Sequence, residues 1–310
     1  MLAVFLQTLP FFLIVGLGYG AGRTGFFTQE ATAWLTKFVF YFALSAMLFR
    51  FSANLSFAEV LDWQFLAAYV WATGFVFGLA MLIAFLRRQP VAEATIEAQC
   101  AAIGNTGFLG VPMLTLLMGS AAVGPVMLVL AADFVVFGTL VVILITGSRD
   151  GRMSLGILRT VGLGLVKNPM LVSIVLGFSW SALRLPIPDP LNQFLSILGG
   201  AATPRALFAI GASLASKSAE RPMVAGYLSV CKLVLHPALV AFAALILFPV
   251  EPYSAAVMIA AASLPVAGNV YILAQHYGVA PHRVSATILF STAGAVLTVS
   301  LVIGWVSGLY

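Results

Sequence analysis

Charge is the scarcest ingredient of this sequence. Only 8% of its 310 residues are Asp, Glu, Lys or Arg, where a soluble domain carries about a quarter. A water-facing globule of this length needs a polar surface that so few residues cannot supply, so a soluble fold is excluded. Cysteine is equally sparse. Cys100 and Cys231 stand alone inside apolar stretches, which excludes a disulfide framework and the paired spacing of zinc sites. His236, His276 and His282 form no ligand cluster, so neither a metal nor another cofactor is expected. No glycine-rich loop ends in Lys-Ser or Lys-Thr, so ATP-driven pumping by this chain alone is not expected. Runs of like charge, low-complexity tracts and a soluble appendage are missing too, and one membrane domain over residues 1–310 is expected. Basic residues are also missing ahead of the first apolar run. It therefore reads as a retained helix with its N-terminus outside, not as a cleaved signal peptide.

What is present is apolar: 62% of the chain is hydrophobic. The runs show no polar alternation, which points to helices rather than barrel strands. Ten of them come close to the ~20 residues that cross a ~30 Å hydrocarbon core. They lie at about 2–22, 31–50, 63–86, 94–118, 122–146, 168–184, 191–215, 223–249, 254–278 and 285–309. The fold class is thus all-α integral membrane.

Basic residues collect on the cytoplasmic side of short loops. With the N-terminus outside, the inner loops hold Arg23, Arg87, Arg88, Arg149, Arg152, Arg159, Lys167, Lys217, Arg221 and Arg283, and the outer loops only Arg50 and Arg184. Both termini are therefore expected outside a bacterial inner (plasma) membrane. The sequence pI of about 9.4 reflects cytoplasmic loops among membrane lipid, and no nucleic-acid partner is needed to explain it.

A shift of 159 residues places Pro10 on Pro169, Gly18 on Gly177, Leu48 on Leu207 and Phe49 on Phe208, and a shift of 164 places Gly104-Asn105 on Gly268-Asn269. These matches suggest two five-helix halves, about 1–148 and 155–310. An odd number of crossings sends the second half in from the opposite side, giving the inverted repeat of many secondary carriers.

The fourth and ninth runs carry helix breakers at corresponding places. One holds Gly104, Asn105, Thr106, Gly107, Gly110 and Pro112; the other holds Pro265, Gly268, Asn269 and Tyr271. Glycine and proline are poor material for a continuous helix, and paired interruptions point to a transporter's binding site. The half-helix after each break begins with unsatisfied N–H groups and partial positive charge, a setting that suits an anion. Asn105, Thr106 and Asn269 would cap these ends or bind substrate.

The run Gly-Asn-Thr-Gly-Phe-Leu-Gly-Val-Pro at 104–112 resembles the fourth-helix motif of the auxin efflux carrier family. Leu264-Pro265 through Tyr271-Ile272-Leu273-Ala274, then Tyr277-Gly278, resembles its ninth-helix motif. Lys167-Asn168-Pro169 resembles the start of its sixth helix, and Ala206 to Leu214 its seventh. The short middle connection looks like the bacterial branch. The resemblance implies a ten-helix fold shared with bile-acid-type carriers, in which helices 1, 2, 6 and 7 form a scaffold and a mobile transport domain carries crossed helices 4 and 9. It implies elevator-type transport of a small organic anion such as malonate or malate, and by analogy a homodimer. Thr203-Pro204-Arg205 departs from the family's usual uncharged residue beside the seventh-helix proline, so specificity is not carried over.

Three intramembrane ionisable residues are candidates for proton coupling: Asp133, Lys232 and His236. A carboxylate at mid-helix is costly, so Asp133 is either paired, or set in a wet crevice, or protonated for part of the cycle. Lys232 and His236 share a helical face. Snorkelling is the favoured reading of Lys232, with a pairing of Asp133 to either residue as the sharper one. Arg205 would suit a carboxylate as a bidentate donor, or would reach lipid headgroups. Lys37 is read as snorkelling, and Glu93 and Glu97 as solvated residues that balance Arg87 and Arg88, with Glu97 lining the inner vestibule as the alternative. Competing functions are a sodium symporter of bile-acid type, a channel, and an intramembrane serine protease using Ser213 and His236. The protease is disfavoured because Leu214 stands where a small residue is wanted.

Overall fold

In the computed structural model, residues 2–55, 61–150, 155–216 and 222–309 are described. Arg152, Lys217 and Arg221, which entered the loop-charge comparison, lie outside the described residues. All regular elements among the described residues are helical, apart from one isolated antiparallel bridge.

Among the described residues, seven helices are long and apolar enough to cross a membrane. They are α1 (Leu2–Arg23), α2 (Gln29–Ala53), α3 (Trp63–Leu86), α6 (Ser120–Ser148), α9 (Asp189–Leu214), α10 (Pro222–Leu247) and α13 (Pro281–Val306). Three expected spans are instead carried by shorter pieces. The run at 94–118 is split into α4 (Val91–Ala102) and α5 (Thr106–Met118). The run at 254–278 is split into α11 (Pro252–Ala262) and α12 (Gly268–Tyr277). The sixth run is the 14-residue α8 (Pro169–Ala182), and ahead of it α7 (Leu155–Val166) forms where only a connection was expected.

Local chemistry sets the ends. Thr28 caps α2 by accepting from the Ala31 amide at 3.1 Å. Asp62 caps α3 through the Gln64 and Phe65 amides, at 2.8 and 3.1 Å. Asn168 caps α8 ahead of Pro169, and Glu251 caps α11 ahead of Pro252. Such caps satisfy amides that a helix start leaves open. Inside the spans the winding widens to π-helical turns, among them Thr106–Gly110 ahead of Pro112 and Cys231–Leu235 ahead of Pro237. Proline has no N–H and its ring collides with the carbonyl one turn back, which favours such a turn.

Two sets of close contacts order the bundle. α1 meets α9 through Gly18 and Gly211: a Cβ at Gly18 would fall 2.1 Å from the Phe208 carbonyl oxygen, and one at Gly211 would fall 1.9 Å from that of Val15. α8 meets α2 in the same manner, a Cβ at Gly177 falling 2.7 Å from the Phe49 carbonyl oxygen and 3.1 Å from the Ala53 amide. Small residues let membrane helices approach backbone to backbone. Around the rest of the bundle large apolar side chains such as Leu17, Trp63, Leu116, Ile197 and Leu301 point outward, the arrangement expected when the surrounding solvent is lipid.

Gly211→Ala is therefore predicted to destabilise the protein by about 1–3 kcal/mol or more through overpacking, read as a lower unfolding midpoint in detergent. Gly20→Ala, whose Cβ would meet nothing within 4 Å, should leave the midpoint unchanged.

Candidate functional site at the crossing of two broken helices

α4 stops at Ala102 and passes directly into extended chain at Ile103, whereas α11 stops at Ala262 and makes a turn at Ser263 before the chain extends through Pro265 and Val266. The two extended pieces run antiparallel with Gly104 opposite Val266. The Asn105 N–H donates to the Pro265 carbonyl at 2.8 Å, and the Ala267 N–H donates to the Ile103 carbonyl at 3.2 Å. Ser291 of α13 accepts from the Val266 N–H at 3.1 Å. Each break thus satisfies groups that the other exposes, which lipid would not do. Immediately beyond the crossing, α5 and α12 begin, so two helix N-termini open beside it.

Asn105, Phe108, Gly268 and Asn269 line two neighbouring spaces. The smaller, about 30 Å³, lies against Asp133, Phe40 and Met170. The larger, about 540 Å³, is a vestibule walled by Thr32, Thr36 and Lys37 of α2, Ser213 of α9, and Tyr271 and Gln275 of α12. That volume is in the usual range for small-molecule sites. The vestibule lies toward the end of the bundle bearing Gln29 and Ser216.

Of the expected binding residues, Asn105, Gly107, Gly268, Asn269 and Tyr271 line one or both spaces. Thr106, Gly110, Pro112 and Pro265 sit behind the surface as packing. A Cβ at Gly110 would come 2.6 Å from a Leu264 methyl, so this glycine lets α5 lie against the second break. Three buried polar atoms near the crossing have no hydrogen-bond partner among the described residues: Thr106 Oγ1, Asn269 Oδ1 and Asp133 Oδ2. Arg205 is elsewhere. It is exposed, donates to the Ala201 carbonyl at 3.4 Å and lies 5.7 Å from the Phe38 ring centroid. It lines neither space. Ser213 lines the vestibule, and His236 is turned toward Lys232 and Thr73.

The intramembrane ionisable residues form a network different from the one expected. Lys232 does not snorkel: it is fully buried, at 0% exposure. Its Nζ donates to the Ala262 carbonyl at 2.5 Å and contacts His236 Nδ1 at 2.9 Å. His236 Nε2 in turn lies 3.0 Å from Thr73 Oγ1. With Nδ1 accepting from Lys232, the ring proton belongs on Nε2, where it donates to Thr73. Asp133 is not ion-paired with Lys232 or His236 within 4.0 Å among the described residues. It accepts instead from the Tyr69 hydroxyl at 2.7 Å. Asp133 and Lys232 each fall in a π-helical turn, a feature common at functional positions.

A second polar cluster corrects the reading of Glu97 as solvated. Glu97 is buried and ion-paired with both Arg87 and Arg283, and it accepts from the Tyr227 hydroxyl at 3.0 Å. Arg283 also meets Glu93 at 3.0 Å. α3, α4, α10 and α13 are tied together there, near the chain end of α3. Lys37, also read as snorkelling, lines the vestibule with its ammonium 4.3 Å from the Trp34 ring centroid.

A family profile described as "Membrane transport protein" matches residues 3–303. The chain belongs to that family. The transporter is 34% identical over 299 residues to a Rhizobium meliloti protein named "Putative malonate transporter", covering 94% of this chain and 92% of that one. It is 26% identical over 302 residues to "Uncharacterized transporter YfdV" of Escherichia coli K12, with 94% of each chain covered. It is 24% identical over 306 residues to "Uncharacterized transporter MJ1031" of Methanocaldococcus jannaschii, with 95% and 96% covered. The resemblance to auxin efflux carriers is thereby shown, and the chain is a transporter rather than an enzyme.

Sequence reasoning passed over Tyr69 and Thr73, which complete the transporter's buried network. A signal for them exists: they are polar residues one turn apart in the middle of a 24-residue helix that is apolar beyond Gln64 in its first turn.

Glu97→Gln should cost about 3–5 kcal/mol, because it removes the buried carboxylate shared by Arg87 and Arg283 and leaves buried Arg283 only the more exposed Glu93 carboxylate. A substantially lowered unfolding midpoint is expected, whereas Arg205→Ala, on the exposed face, should change stability by less than about 0.5 kcal/mol.

Proposed function

We propose that this transporter is a secondary carrier of a small organic anion of the malonate or malate type, working across the bacterial inner membrane by elevator-type alternating access. The observation that carries this reading is the crossing itself. Two half-helices start at one place inside the span, with Asn105 and Asn269 lining the vestibule beside them. Converging N-termini offer amides and positive dipole ends to an anion without a fully charged partner. The malonate named for the Rhizobium relative supports the substrate class.

Counting α4–α5 and α11–α12 as one span each and α8 as another, beside the seven long helices among the described residues, supports a reading of ten crossings in two inverted halves. The glycine contacts support the repeat. The 159-residue shift carries Gly18 to Gly177, Phe208 to Phe49 and Ala212 to Ala53, so the contact of α1 with α9 maps onto that of α8 with α2. These four helices are the scaffold, and α3–α6 with α10–α13 are the moving body. The vestibule lies between the two bodies, α2 and α9 on one wall and the crossing with α12 on the other. Its open end is the end rich in Lys and Arg, so this conformation faces the cytoplasm, with both termini outside.

Protons are the coupling ion in this account. Asp133 borders the small space beside Asn105 and Asn269, with one carboxylate oxygen unpartnered. Protonated, that oxygen would donate to a bound carboxylate; released, it would hand its proton to the other side.

Flux into proteoliposomes tests the reading, using labelled malonate, malate and indole-acetate under an imposed pH or sodium gradient. Saturable dicarboxylate uptake driven by the pH gradient is expected. It should fall by about tenfold or more in well-folded Asn105→Ala and Asn269→Ala proteins, the scale of a hydrogen bond to a charged group. No flux of any test anion above empty vesicles would overturn it.

A further inference from the structure

The crossing has a second side. α4 and α11 end there, and their last carbonyls are the negative ends of two half-helix dipoles. In carriers with broken helices, such ends and the unwound carbonyls beside them coordinate the coupling cation. In this chain a side chain reaches into that place. Lys232 sits about ten residues into the 26-residue α10 and is wholly enclosed. Its Nζ bonds the carbonyl of Ala262, the last residue of α11, at 2.5 Å. It also lies against the other break. A Cβ placed on Gly104 would be 3.2 Å from Nζ and 3.3 Å from the Ala261 carbonyl oxygen, so glycine at 104 leaves room for the ammonium between the two ends. His236 Nδ1, 2.9 Å from Nζ, accepts a further hydrogen bond and steers the side chain, itself held by Thr73 of α3.

We propose that Lys232 is a resident cation: its ammonium occupies the position a coupling sodium would take and renders the transporter independent of sodium. An ammonium and a sodium ion carry the same charge, and both satisfy carbonyl oxygens. The tethered one needs no capture from solution and cannot be exchanged between the two sides, so it contributes nothing to the driving force. Gly104 is then a specificity residue for this arrangement, and His236 and Thr73 are positioning residues. The proposal rests on the carrier reading above, but its test does not need flux.

The unfolding midpoint of purified wild-type and Lys232→Ala protein would be measured in sodium, ammonium, methylammonium and choline chloride at equal ionic strength. The wild-type midpoint should be the same in sodium and choline. Lys232→Ala should be lower in choline and recover in ammonium or methylammonium, which enter the vacated place, and in sodium to a lesser degree. In proteoliposomes, wild-type malonate flux should be unchanged when choline replaces sodium. Lys232→Ala should lose about tenfold or more, with partial return in methylammonium. A wild-type midpoint or flux raised by sodium would overturn the proposal. So would a Lys232→Ala midpoint equal in all four salts, or equal to wild type in choline. If Lys232→Ala does not fold, the wild-type comparison in sodium and choline still decides the matter. A wild type that carries no anion, while the variant's midpoint responds to ammonium, would refute the carrier reading and leave the cation site standing.

Discussion

A backbone amide or carbonyl left unpaired in hydrocarbon costs several kcal/mol, and the two broken helices of this protein are arranged around that constraint. Ile103 to Asn105 and Pro265 to Ala267 form one short antiparallel pair, each supplying the partners that the other lacks. A single break would have needed water or side chains throughout. Two breaks at the same depth solve the problem together, and α5 and α12 then necessarily begin side by side. The same pairing leaves the ends of α4 and α11 adjacent, which draws in the buried Lys232. One constraint thus sets two helix N-termini beside the vestibule and the carbonyl end of α11 against Lys232.

The surrounding packing divides the labour. Where helices must stay together, glycines bring backbones into contact, as at Gly18, Gly177 and Gly211. At the end of α3, charged groups do the same work: Glu97 gathers Arg87 and Arg283 from two other parts of the chain. Between α2 and α12, by contrast, lies the hollow of the vestibule. In the proposed elevator reading, a boundary hollow on one side would let the two bodies slide with few contacts to break.

Much of this was legible in the sequence because it depended on local chemistry. Gly104 and Pro265 marked the breaks, the apolar runs marked most spans, and the glycines at 18 and 177 marked equivalent contacts. What was not legible depended on which residues met across the chain. Lys232 read as a snorkelling residue because its partner, the Ala262 carbonyl, is a backbone group freed only by the second break. Glu97 read as solvated because its arginine at 283 lies 186 positions away. Thr106 and Pro265 stand in the motifs yet face inward, since a motif fixes a backbone path as much as a binding surface.

Labelling a thiol at the crossing decides whether that place is a substrate site open to one face of the membrane. Gly268 borders the vestibule and a Cβ there meets nothing within 4 Å, so Gly268→Cys, made with Cys231→Ser, places a thiol at the site with little disturbance. Its reaction with a membrane-impermeant maleimide would be followed in inside-out and right-side-out vesicles, with and without malonate. The account predicts rapid labelling from the face that bears Arg23 and Arg283, slowed by saturating malonate. Labelling from neither face, or at a rate that malonate does not alter, would contradict it.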